Sequence, residues 1–122
     1  MPLTILVLDD DRHVRESLAM NLEDEDFIVL QAGSAEDALR LLEEAWADLA
    51  IVDLRLPGMN GPDFIKAAMK RWDDMRFIVY TGSPEFRIAT DLSSLPNVSG
   101  TIFLKPLSDS ETIVAEIRRM LA

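Results

Sequence analysis

Five short apolar runs constrain this chain more than any other feature: Ile5-Leu-Val-Leu8, Phe27-Ile-Val-Leu30, Leu49-Ala-Ile-Val52, Phe77-Ile-Val-Tyr80 and Thr101-Ile-Phe-Leu104. Each has the length of a strand and is rich in β-branched or aromatic side chains. None alternates polar with apolar, so both faces of each strand need covering, as in a parallel sheet packed between helices.

The intervening segments carry helical periodicity. Val14, Leu18 and Leu22 recur at four residues, and Ala35, Ala38, Leu39, Leu42, Ala45 and Trp46 form a longer stripe. Phe64, Ala68, Met69 and Trp72 make a third stripe, and Ile113, Ile117, Met120 and Leu121 a last one. Ser34 with Asp37 and Ser108 with Glu111 resemble capping boxes, and Pro62 suits a first helical turn. After Tyr80, Phe86, Ala89 and Leu92 mark a further helix, which Ser93-Ser94-Leu95-Pro96-Asn97 cuts short. Strand and helix alternate five times, so the spacing predicts an α/β fold: a doubly wound parallel sheet with right-handed crossovers and a short or irregular fourth helix.

Composition narrows the function. The 122 residues carry a net charge of −10, which argues against a nucleic-acid groove, and 48% of them are hydrophobic, enough for one cored domain over residues 1–122. With no cysteine and one histidine, His13, disulfides, thiolate zinc sites, cysteine nucleophiles and multi-histidine metal cages are excluded. No apolar stretch approaches the ~18 residues of a membrane span and no signal peptide is apparent, so the expected location is the cytoplasm.

In doubly wound sheets, ligands bind outside the carboxyl ends of the strands. The first strand ends in Asp9-Asp10-Asp11, the third in Asp53, the fourth in Thr81-Gly82 and the fifth in Lys105-Pro106; the second ends in the chemically quiet Gln31-Ala32-Gly33. If strands one and three are neighbours, Asp9, Asp10 and Asp53 meet, and carboxylates that close call for a cation such as Mg²⁺. Lys105 and the Thr81 hydroxyl can then cover phosphoryl oxygens, with Gly82 leaving room. A metal, a carboxylate nucleophile and cationic cover are the parts of a phosphoryl-transfer site. The blander reading takes the aspartates as a solvated strand end with Asp11 as N-cap, Thr81 as a strand-end residue and Lys105 as a surface charge. His13 reads as a solvent-facing helix residue, and Trp46 and Trp72 as core or edge packing.

Four fragments, each closing one strand in order, resemble the receiver domain of bacterial two-component response regulators: Ile5-Leu-Val-Leu-Asp-Asp-Asp11, Ile51-Val-Asp-Leu-Arg-Leu-Pro-Gly-Met-Asn-Gly61, Val79-Tyr-Thr-Gly82 and Phe103-Leu-Lys-Pro106. The resemblance implies a flavodoxin-like sheet of order 2-1-3-4-5. It implies Asp53 as phosphoacceptor, receiving the phosphoryl group of a phosphohistidine on a sensor histidine kinase or histidine phosphotransfer protein. Asp9, Asp10 and Asp53 would bind Mg²⁺ with the backbone carbonyl of Arg55, Lys105 would contact the phosphoryl group, and Thr81 would hydrogen-bond it after transfer. Pro57 and Gly61 match the loop beyond the acceptor. The family also implies a signalling domain rather than a substrate-converting enzyme, an output domain or downstream protein, and a phosphorylation-dependent homodimer. Two departures stand out: Ile102 occupies a position commonly aromatic, and the stretch from Thr81 to Lys105 is slightly long. A pseudo-receiver that binds partners without phosphate therefore competes. A hydrolase of the haloacid dehalogenase type fits less well, because Arg55 stands where its second aspartate belongs.

Overall fold

The computed structural model describes residues 2–82, 92, 94–106 and 110–122. Strands β1 (Thr4–Leu8), β2 (Ile28–Ala32), β3 (Leu49–Val52), β4 (Arg76–Thr81) and β5 (Val98–Leu104) form one parallel sheet in the order β2-β1-β3-β4-β5. Helices α1 (Arg12–Asp24), α2 (Ala35–Glu44), α3 (Gly61–Arg71) and α4 (Glu111–Leu121) cover it.

Side chains on successive strand residues point to opposite faces, which splits the apolar runs into two cores. Leu6, Leu8, Ala50, Val52, Phe77 and Val79 pack against Ala38 and Leu42 of α2 and Phe64, Ile65 and Ala68 of α3. Ile5, Val7, Leu49, Ile51, Ile78, Tyr80 and Phe103 face Leu18 and Leu22 of α1 and Ile113, Val114 and Ile117 of α4. This two-sided burial is why the runs lack alternation.

The helix starts follow side-chain chemistry. Asp11 accepts from the amides of His13 and Val14, Ser34 from that of Asp37, and Asn60 from that of Asp63, with Pro62 in the first turn of α3. At α4 the N-cap is Ser110, not Ser108, and its side chain makes no capping bond. Ser108 itself, like most of the expected fourth helix, lies outside the described residues.

Three further details depart from expectation. Strand β2 begins at Ile28 because Asp26, at φ 70, turns the chain after α1 and leaves Phe27 as a buried plug before the strand. Trp46 falls beyond the end of α2 and is 48% exposed, its indole N–H donating to Asp48 at 3.2 Å, so it is not a core residue. Trp72 is half-buried at the C-cap of α3, with the Arg71 guanidinium 4.4 Å from its ring centre.

Strand β5 starts three residues earlier than its apolar run. Phe77 pairs with Val98 and Val79 with Ile102, so the single intervening residue of β4, Ile78, is matched by three of β5 and the strand bulges at Ser99-Gly100-Thr101. The Ser99 hydroxyl accepts from the Thr101 amide at 3.0 Å and donates to Glu116 of α4, closing the bulge from inside. Ile102 sits just after the bulge, half-buried against the core of the α2–α3 side.

Candidate functional site

Register builds the site before any side chain is considered. Leu8 pairs with Val52, so the next residues, Asp9 and Asp53, leave adjacent strands side by side, and the Asp53 amide donates to the Leu8 carbonyl at 3.0 Å. Thr81 pairs with Leu104, and the Lys105 amide donates to the Thr81 carbonyl at 2.9 Å, which delivers the lysine to the same sheet end. A cleft of about 290 Å³ opens there, lined by Asp9, Asp10, Asp53, Arg55, Thr81 and Lys105 among others.

One carboxylate oxygen from each of Asp9, Asp10 and Asp53 lies within 4.8 Å of the others. Lys105 Nζ bridges two of them, donating to Asp9 Oδ2 and to Asp53 Oδ2, the latter at 3.0 Å. Asp9 is 2% and Asp53 7% exposed, while Asp10 points into solvent. Burial raises the Asp9 pKa; the hydrogen bond from Lys105 and that from the Asp11 amide pull the other way, and the Asp53 charge adds to the rise. For Lys105, burial works against the ammonium, but the hydrogen bonds it donates to the Asp9 and Asp53 carboxylates outweigh it and its pKa rises. The direction that governs this cluster is the lysine's: it stays charged between two acids.

Three carboxylates against one ammonium leave the cluster two negative charges in excess. That excess, and an all-oxygen donor set, suit a hard divalent cation that keeps several waters. The donor set fits Mg²⁺.

The loop after Asp53 is pinned close to it. The Gly61 amide donates to the Leu54 carbonyl at 3.1 Å, and a Cβ on Gly61 would lie 2.3 Å from the Asp53 carbonyl oxygen. Only glycine fits there. Gly58 has φ +75, a left-handed turn that glycine adopts without strain, and the next amide, Met59, donates to Glu36 of α2 at 3.3 Å. Gly82 is different: a Cβ there would meet Lys105 at 3.8 Å, ordinary contact, so the lysine does not require glycine at that position. Thr81 is fully buried beside the cleft. Arg55 is exposed at its rim, and its amide donates to Asp53 Oδ1 at 3.3 Å. His13 is exposed on α1.

Two site-shaping residues leave no periodic trace in the sequence. Glu36 holds the loop beyond Asp53, as described. Arg15 reaches from α1 to the Asp9 carbonyl, Nη1 donating at 2.8 Å, and its Nε donates to Gln31 at 3.3 Å.

The chain belongs to the response regulator receiver domain family, whose model matches residues 5–118. It is therefore a receiver domain of the two-component response regulators. It is 33% identical over 119 residues to the transcriptional regulatory protein FixJ of Azorhizobium caulinodans, covering 98% of this chain and 55% of that protein. It is 37% identical over 79 residues to the hydrogenase transcriptional regulatory protein HoxA of Cupriavidus necator, covering 65% of this chain and 16% of that one. The chain thus spans about half of one relative and a smaller part of the other. Among solved structures it resembles a CheY-like receiver domain protein of Methanospirillum hungatei, with a TM-score of 0.89 and 26% identity over 99% of this chain and 94% of that one. It also resembles the response regulator TrrA of Thermotoga maritima, solved with Mg²⁺ and BeF, with a TM-score of 0.82 and 25% identity over 97% and 98% of the two chains. Among the described residues, no helix is long and apolar enough to cross a membrane.

Proposed function

We propose that this receiver accepts a phosphoryl group on Asp53, from a phosphohistidine of a sensor histidine kinase or histidine phosphotransfer protein, in a reaction that needs Mg²⁺. The observation that carries the reading is the bridge of Lys105 between Asp9 and Asp53 at the mouth of a carboxylate cluster. An Asp53 carboxylate oxygen attacks phosphorus, the P–N bond to the imidazole breaks, and an acyl phosphate forms. Asp9, Asp10 and Asp53, with the Arg55 carbonyl, would hold the ion, which supplies charge neutralisation to the phosphoryl oxygens. Lys105 is already charged beside Asp53, so it can follow the phosphoryl group without gaining a proton. Thr81, buried at the end of β4, supplies a hydroxyl to the same group. The phosphorylated domain then acts on an output domain or a downstream protein, and a phosphorylation-dependent homodimer is one form that action takes.

Intact mass after incubation with a small phosphodonor tests the reading. One phosphoryl adduct is expected with Mg²⁺, and none with chelator or in Asp53→Asn. Asp10→Asn should lose Mg²⁺ binding first and the adduct as a consequence. An adduct of parental yield in Asp53→Asn overturns the proposal.

A further inference from the structure

We infer that Arg15 is a positioning residue for the metal-binding loop, an inference that rests on the Mg²⁺ site proposed above. The Asp9 and Asp10 carboxylates stand on the turn between β1 and α1, and a turn alone holds its side chains loosely. Here the turn is fastened from several sides. The Asp9 amide donates to Ala32 of β2 at 3.2 Å, and Asp9 Oδ1 accepts from the Asp11 amide at 2.9 Å. The Asp9 carbonyl accepts from Arg15 Nη1 at 2.8 Å.

Arg15 is itself held. It begins the second turn of α1, its amide donating to the Asp11 carbonyl at 3.0 Å, and its Nε–H meets Gln31 at the end of β2. Gly33 completes the seat: a Cβ there would come within 3.2 Å of Arg15 Nη1. The end of β2, which carries no reactive group of its own, thereby forms the wall against which Arg15 rests. The guanidinium's fixed fork makes both bonds at once, one to the wall and one to the turn, which a lysine ammonium on a flexible stem cannot reproduce. Arg15 acts on the backbone of a carboxylate residue, so its effect is on where Asp9 and Asp10 sit rather than on the chemistry of transfer. Groups that orient metal ligands from behind contribute ten- to hundredfold in affinity, so a loss of about that size is the expected reading.

The test is Mg²⁺ titration by calorimetry on the whole chain, at low and at high salt, for the parent, Arg15→Ala and Arg15→Lys. Arg15→Ala should bind Mg²⁺ about ten- to a hundredfold more weakly, and the deficit should be at least as large at high salt, because losing a positive charge by itself favours the cation and salt screens that gain. Arg15→Lys should recover part of the loss and remain weaker than the parent. Parental affinity in either variant, or a deficit that vanishes with salt, overturns the inference. If Arg15→Ala fails to fold, Arg15→Lys carries the test alone. A parent that does not bind Mg²⁺ refutes the proposed function and this inference with it, whereas a binding parent with equally binding variants refutes Arg15 alone.

Discussion

Gly61→Ala is the substitution whose cost is most closely set by geometry. The added methyl would lie 2.3 Å from the Asp53 carbonyl oxygen and 2.8 Å from Leu54 Cα, both backbone atoms that cannot rotate aside. Relief requires moving the start of α3 away from the end of β3, which strains the bond from the Gly61 amide to the Leu54 carbonyl. Overpacking costs about 1–3 kcal/mol, and a weakened hydrogen bond adds about 1 kcal/mol. Alanine's stiffer unfolded chain returns roughly 0.5 kcal/mol. The net loss is about 1.5–3.5 kcal/mol, a drop of roughly 5–18 °C in melting temperature for a chain of this size. Gly58→Ala provides the contrast. Its left-handed φ costs roughly 1–2 kcal/mol, but the atom it meets is the movable carboxylate of Glu36. Thermal unfolding of both variants, followed by circular dichroism, should place Gly61→Ala below Gly58→Ala. Gly61→Ala should also accept phosphate more slowly, because the backbone that the added methyl presses on is that of Asp53 itself. A melting temperature equal to the parent's would refute the argument from close approach.

Other perturbations probe separate parts of the account. Lys105→Ala should lower the melting temperature in chelator, because two buried carboxylates lose their shared counter-ion, and added Mg²⁺ should raise it at least as much as in the parent; a variant that ignores Mg²⁺ would contradict the metal assignment. Glu116 is held below the ordinary carboxylate value of 4.5, first by its hydrogen bonds from Arg119 and, against some burial, by that from Ser99. A depressed carboxyl contributes stability above its unfolded pKa and loses it as pH falls through the folded one, so thermal melts should show Glu116→Gln losing less stability than the parent below pH 4.5; parallel pH profiles would count against the tie. Phe77→Ala removes a fully buried ring packed edge-on against Phe64 at 6.4 Å and should cost about 3–5 kcal/mol in denaturant unfolding; a cost below about 1 kcal/mol would mean that this core can collapse around the gap.

The parts of the fold legible in the sequence are those buried on both sides. Continuous apolar runs such as Leu49–Val52 have no other use in a chain this small, and their order with the helical stripes leaves little freedom in topology. The residues brought together at the sheet end were legible for a related reason: Asp9, Asp53, Thr81 and Lys105 each follow a run directly, and register then makes them neighbours. What stayed hidden obeys no period. The start of β5 is written in Ser99 and Gly100, residues with no strand signature, and its bulge is stabilised by Glu116 from a helix far along the chain. Arg15 and Glu36 look like ordinary charges on exposed helical faces until the contacts to Asp9 and Met59 are known. Trp46 misled because its stripe continues past the point where α2 ends.

The central claim is that Asp53 takes the phosphoryl group, and trapping the acyl phosphate tests it most directly. Borohydride reduction of the phosphorylated protein converts the modified aspartate to homoserine, which peptide mass mapping locates. The account predicts homoserine at position 53 and at no other aspartate, formed only when Mg²⁺ was present. Homoserine at position 9 or 10, or none at 53 in a protein that has gained phosphate, would contradict it.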